Sequence, residues 1–109
     1  MSSVHKNLNL HSEKNLKDIS NRKIAIIVAE WNSEITEALY QGAYDALIQY
    51  QVKPENIIRY DVPGSFELSF GSQLAAQRAD IDAVIALGCV IQGETRHFDF
   101  ICIDRKSVV

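Results

Sequence analysis

Three apolar runs constrain this chain more than anything else in it: KIAIIVAE at residues 23 to 30, IIRYDV at 57 to 62 and DAVIALG at 82 to 88. The first and third are nearly continuous, without the apolar–polar alternation of a strand that has one wet face. Such runs mark strands buried on both sides. The second has the β-branched and aromatic content of a strand. Between the first two lies NSEITEALYQGAYDALIQY, in which Ile35, Ala38, Leu39, Ala43, Ala46, Leu47 and Tyr50 recur at helical spacing. Asn32 or Ser33 can cap this helix, and Glu34 sits in its favourable first turn. VKPEN ends it. After the second strand, Pro63-Gly64 predicts a turn and Ser65 a cap for a helix along SFELSFGSQLAAQR, with Phe66, Phe70 and Leu74 on one face at i, i+4 and i+8. Strand, helix, strand, helix, strand is the pattern of right-handed βαβ units. The expected fold class is α/β, a parallel sheet with helices on its faces.

The chain has 109 residues, 47% of them hydrophobic, enough for one domain with a core. A formal charge of −3 argues against broad electrostatic capture of nucleic acid or of an anionic membrane, since either would want clustered Lys and Arg. Small molecules or proteins fit better. Cys89 and Cys102 match no metal spacing and predict reduced thiols, hence a cytoplasmic address. Residues 1 to 22, rich in Ser, Asn and Lys, read as a flexible arm preceding a domain at 23 to 109. No signal sequence or membrane span is legible.

In open parallel sheets ligands bind beyond the carboxyl ends of the strands. Those ends read EWNS, VPGSFE and GCVIQGETRH. Trp31 at a strand-to-helix corner either covers a core edge or stacks on a flat ligand, and packing is the commoner use. Glu67 in a first helical turn is accounted for by the helix dipole alone. His97 follows Gly93-Glu94-Thr95-Arg96, where a helix start would offer free N–H groups to an anion. A histidine there can move protons near neutrality, but a surface or capping residue is an equal reading. Cys89 reads as an inert thiol more readily than as a nucleophile. No His, Cys and carboxylate cluster has ligand spacing, so no metal is expected, and without a Walker loop or a GxGxxG turn phosphate cradling by a glycine-rich first loop is not expected.

Taken together, EWNSEIT, VPGSFEL and DAVIALGCVIQGETRHFDF resemble, in order and spacing, three successive motifs of the 6,7-dimethyl-8-ribityllumazine synthase family. The resemblance implies a three-layer α/β sandwich of flavodoxin-like topology. It also implies a transferase of riboflavin biosynthesis that condenses a 5-amino-6-ribitylamino-pyrimidinedione with 3,4-dihydroxy-2-butanone 4-phosphate and releases phosphate and water without a cofactor. By motif, Trp31 would stack on the pyrimidine. Ser65, Phe66 and Glu67 would line the pyrimidine and ribityl pocket, and Cys89, Val90 and Ile91 would offer backbone hydrogen bonds to the ring. Glu94 and Thr95 would lie with Gly93 where the butanone phosphate is received, and His97 would transfer protons. The implied partners are further copies of the chain, as a pentamer or larger shell, and riboflavin synthase.

The likeness ends near Cys102. There the family continues into a further helix, a last strand and a C-terminal helix, and this chain reads IDRKSVV. The expectation is a chain truncated in its last third, lacking the family's phosphate-binding arginine, inactive and poorly soluble when expressed alone. Two other readings of the same residues stand beside it: a non-catalytic flavodoxin-like module holding a flavin or nucleotide, and a remnant that only associates with intact subunits.

Overall fold

The computed structural model describes residues 18 to 92 and residue 102. The three apolar runs form strands β1 (Ile24–Ala29), β2 (Ile57–Val62) and β3 (Ala83–Leu87). Helix α1 (Ser33–Gln49) follows β1, and α2 (Leu68–Ala76) follows β2 after a short 3₁₀ turn at Ser65–Glu67. The sheet is parallel with β1 in the middle, in the order β2-β1-β3. This explains the unbroken IAIIVA run: all six β1 residues are buried, because strands flank β1 and helices cover both its faces.

Strand register divides the residues between the two faces. Ala25, Ile27 and Ala29 pack with Leu68 and Ala75 of α2, and with Tyr60, Val62, Val84 and Ala86 from the neighbouring strands. Side chains alternate along a strand, so Ile24, Ile26 and Val28 take the other face. Helix α1 lies there: Arg59, in register with Ile26, places its guanidinium 4.4 Å from the ring centroid of Tyr40 and donates to Glu37. The arrangement is the expected three-layer sandwich.

The apolar residues of the helices are distributed less simply. Phe66, Phe70 and Leu74 do share a face, but they are 47%, 65% and 51% exposed. The face of α2 nearest the sheet carries Leu68, Gly71 and Ala75 instead. A Cβ at Gly71 would stand 3.1 Å from Val62 Cγ1 and 3.2 Å from Ile27 Cγ2. Close approach on the Gly71–Ala75 side turns the large side chains outward. In α1 the one fully buried residue is Thr36, whose hydroxyl donates to the Ser33 carbonyl at 3.5 Å, while Ile35 and Leu39 stay partly exposed.

The opposite end of the sheet, away from the strands' carboxyl ends, is fastened by charge. The Asp82 carboxylate accepts from the Lys23 N–H at 2.8 Å, Asp82 N–H donates to the Lys23 carbonyl at 2.8 Å, and Arg22 lies 3.5 Å from Asp82. Arg78 and Lys23 both reach Asp80, and these cations hold its carboxyl below the usual aspartate range. No described helix is long and apolar enough to cross a membrane.

Candidate functional site

The carboxyl ends of β1, β2 and β3 project three loops to one end of the sheet, and hydrogen bonds tie them together. Where the β1–β2 ladder ends, the chain continues it by one further pair: Glu30 N–H donates to the Val62 carbonyl at 2.7 Å and Trp31 N–H to the Pro63 carbonyl at 3.0 Å. The first loop is thereby held against the second. The Ser65 hydroxyl donates to the Cys89 carbonyl at 3.2 Å, which joins the second loop to the third. Asn32 Nδ2 lies 3.4 Å from Cys89 Sγ, which joins the third back to the first.

Trp31 is 54% exposed, so its ring does not serve as core packing. The corner that presents it is built on Asn32, in the left-handed region at φ 60° and ψ 52°, as the N-cap of α1. Asparagine tolerates that conformation better than most residues. Of the two caps the sequence offers, Asn32 takes the N-cap position, but its side chain makes no capping bond.

Ser65 is buried and does not cap a helix as the sequence led one to expect. The N-cap of the 3₁₀ turn is Gly64, and the Ser65 hydroxyl serves the Cys89 carbonyl instead. Glu67 Oε2 accepts from Gly64 N–H at 2.9 Å, and Glu67 N–H donates to the Gly64 carbonyl at 3.2 Å. This pair closes the turn. It is a more specific reason for the carboxylate's position than the helix dipole, and a carboxylate retains further acceptor capacity. Phe66 and Ile91 present apolar surface on the second and third loops, Ile91 being 56% exposed. Cys89 and Val90 are partly covered, and Cys89 is a free thiol.

Gly88 and Asn32 contribute what sequence reading missed. A Cβ at Gly88 would fall 2.5 Å from Leu68 Cδ1 and 2.7 Å from Ser65 Oγ, so only glycine lets β3 end this close to the second loop. The Gly-Cys junction after an apolar strand was a visible signal for the first. For the second, the signal was an asparagine directly at the strand-to-helix corner. Glu94, Thr95 and His97 lie outside the described residues. Among the described residues no three His, Cys, Asp or Glu side chains come together as metal ligands. Two grooves of 320 and 570 Å³ flank α2, one lined by Tyr60, Gly71, Leu74 and Arg78, the other by Ser72, Gln73, Val84 and Ala86. Neither includes the three tied loops.

Sequence comparison gives these loops a context. The pattern of the family described as 6,7-dimethyl-8-ribityllumazine synthase matches residues 21–107. Proteins bearing that name are similar over 94% of this chain: one from Cytophaga hutchinsonii at 57% identity, one from Flavobacterium johnsoniae at 48% and one from Parabacteroides distasonis at 48%. The match covers 64%, 54% and 64% of those proteins respectively, so the chain spans less than two thirds of the length of these curated relatives. With a family pattern matched over most of its length and relatives at this level of identity, the chain belongs to the 6,7-dimethyl-8-ribityllumazine synthase family.

Proposed function

We propose that the protein to which this chain belongs forms 6,7-dimethyl-8-ribityllumazine in riboflavin biosynthesis, by condensing a 5-amino-6-ribitylamino-pyrimidinedione with 3,4-dihydroxy-2-butanone 4-phosphate and releasing phosphate and water. The observation that carries the reading is the meeting of Trp31, the Ser65–Glu67 turn and the Gly88–Ile91 strand exit at one end of the sheet, on the motifs that carry the family likeness. The reaction needs two substrates held together and several protons moved. Positioning alone can supply roughly 7 to 11 kcal/mol of the barrier.

In this reading the exposed Trp31 ring stacks on the flat pyrimidine, and Phe66 and Ile91 extend that apolar surface. The Glu67 carboxylate, fixed by Gly64 N–H, accepts from ribityl hydroxyls. The backbone of Cys89, Val90 and Ile91 pairs with polar atoms of the ring, and Ser65 steadies that backbone through the Cys89 carbonyl, whose second lone pair remains available. Glu94 and Thr95 lie in the stretch that receives the butanone phosphate. His97 passes protons during amine attack, phosphate elimination and ring closure. Metal and organic cofactors have no part in it. The working form is a homo-oligomer, a pentamer or larger shell, in the cytoplasm, with riboflavin synthase as the next enzyme to take its product.

The test is lumazine formation by the purified full-length protein from the two substrates, followed by absorbance. Replacing His97 with Ala should lower kcat by about 10²- to 10⁴-fold with little change in KM. Wild-type turnover in that variant would remove His97 from the mechanism. No lumazine from the unsubstituted protein would overturn the whole reading.

A further inference from the structure

We infer that Asn32 is a positioning residue, whose side-chain amide fixes the Trp31 corner by binding the sulfur of Cys89. Three independent features point to it. An N-cap asparagine ordinarily has extended backbone angles and turns its side chain to the helix's own free N–H groups. Asn32 does neither: it is left-handed, and its side chain makes no capping bond. Its amide lies instead 3.4 Å from Cys89 Sγ, across 57 residues of sequence. A residue held in an uncommon conformation with its usual partner forgone is a reason to look for function at that spot.

The place matters as much as the contact. The strand order β2-β1-β3 sends the chain from β1 to one side and then across to the other, so the order reverses between β1 and β3. That reversal is where open α/β sheets hold their ligands. β1 and β3 are paired as far as Val28 and Leu87, and beyond them the two chains part. The first loop meets the second through backbone bonds and the second meets the third through Ser65. Among the described hydrogen bonds, the Asn32 amide is the one that spans the first and third loops directly. Trp31 is adjacent in sequence, so the bond to Cys89 limits how far its exposed ring can swing relative to the strand exit at Val90 and Ile91.

Trp31 is the only tryptophan among these 109 residues; with any tryptophan of the full-length protein outside them replaced by phenylalanine, its time-resolved fluorescence anisotropy reports this restraint without any ligand. The full-length protein is compared with Asn32→Gly, which keeps the left-handed backbone accessible and removes the amide. Cys89→Val keeps the amide and removes its acceptor, and Cys89→Ser restores an acceptor of similar size. Asn32→Gly and Cys89→Val should each release a fast local motion of the indole, and Cys89→Ser should leave the anisotropy decay as it is in the unsubstituted protein. In a binding titration with the ribitylamino-pyrimidine, the first two should bind about threefold to tenfold more weakly, the effect of one neutral hydrogen bond. Combining Asn32→Gly with Cys89→Val should add little to either alone.

Unchanged anisotropy in both Asn32→Gly and Cys89→Val would overturn the inference, as would full additivity of the two. If Asn32→Gly fails to fold, the Cys89 pair decides the matter, because Asn32 is then untouched. The titration rests on the proposed function and the anisotropy does not. Released motion together with no pyrimidine binding by the unsubstituted protein would therefore sink that function and leave the positioning role standing.

Discussion

Gly88→Ala is the sharpest single test of how the strand ends are packed. The added Cβ would sit 2.5 Å from Leu68 Cδ1 and 2.7 Å from Ser65 Oγ, about 1 Å inside ordinary van der Waals contact. Neither neighbour yields easily, since Leu68 and Ser65 are both buried and the Ser65 hydroxyl is fixed on the Cys89 carbonyl at 3.2 Å. Overpacking of this kind costs about 1 to 3 kcal/mol, and displacing Ser65 removes a hydrogen bond worth about 1 kcal/mol. Against this stands the lower chain entropy of alanine when unfolded, a gain of about 0.4 to 1 kcal/mol, which applies because Gly88 does not have positive φ. The net expectation is a loss of about 1 to 3 kcal/mol, measured as a lower urea midpoint with an unchanged m-value. Under the proposed function, the same variant should also weaken binding of the ribitylamino-pyrimidine, because Ser65 steadies the Cys89 backbone. A variant as stable as the parent would refute the close approach on which the account of this corner rests.

The remaining predictions use other parts of the fold. Gly42 lies in the middle of α1 with nothing within 4 Å of where an added methyl would stand, so Gly42→Ala should stabilise by about 0.5 to 1 kcal/mol in the same urea assay; destabilisation would mean that this face of α1 is covered. Arg59→Ala removes a guanidinium that stacks on Tyr40 and bonds Glu37 and Asp61, and should cost about 1 kcal/mol, with most of the loss surviving high salt if the ring contact dominates. The pH dependence follows from the same pair. Arg59 lowers the pKa of Glu37 in the folded protein, so the stability this gives is present in full above the usual glutamate range and is lost as pH falls through the folded pKa. Unfolding between about pH 5 and pH 3 should accordingly depend less on pH in Arg59→Ala than in the parent; equal slopes would remove Glu37 from the account.

Much of the frame was legible because it rests on burial. IAIIVA was legible as a doubly covered strand, and the structure buries all six of its residues; AVIAL read the same way, and the structure pairs it with β1 but leaves Ala83 exposed and the other four residues half-buried. IIRYDV was legible as a strand, but the face taken by its charged residues was not. Arg59 and Asp61 lie on an edge strand, where they can reach outward toward α1, and strand order is a property of pairing that local pattern does not encode. The orientation of α2 was hidden for a related reason. Periodicity grouped Phe66, Phe70 and Leu74, yet Leu68, Gly71 and Ala75 face the sheet, because the close approach at Gly71 leaves no room there for a large side chain. At the site, the sequence marked Trp31, Ser65 and Cys89 as residues of interest but not what their neighbours do. That Asn32 would reach Cys89, and that the Ser65 hydroxyl would serve the Cys89 carbonyl, follows from three loops meeting across long separations in sequence.

That meeting also bears on how such a corner stays ordered. Backbone ladders end at Val62 and Leu87, and the one pair that prolongs them joins the first loop only to the second. Past that point order depends on side-chain bonds to Cys89 from both neighbouring loops: the Ser65 hydroxyl on its carbonyl, the Asn32 amide on its sulfur. The three links close a ring. In a ring each link limits the motion that the other two must resist, so the energy of the set exceeds what any one deletion measures. A neutral bond to sulfur is weak taken singly, but here it completes the ring. Under the proposed function, a binding surface made from such loops is ordered before its ligand arrives, so less conformational entropy is lost on binding than if each loop had to settle separately.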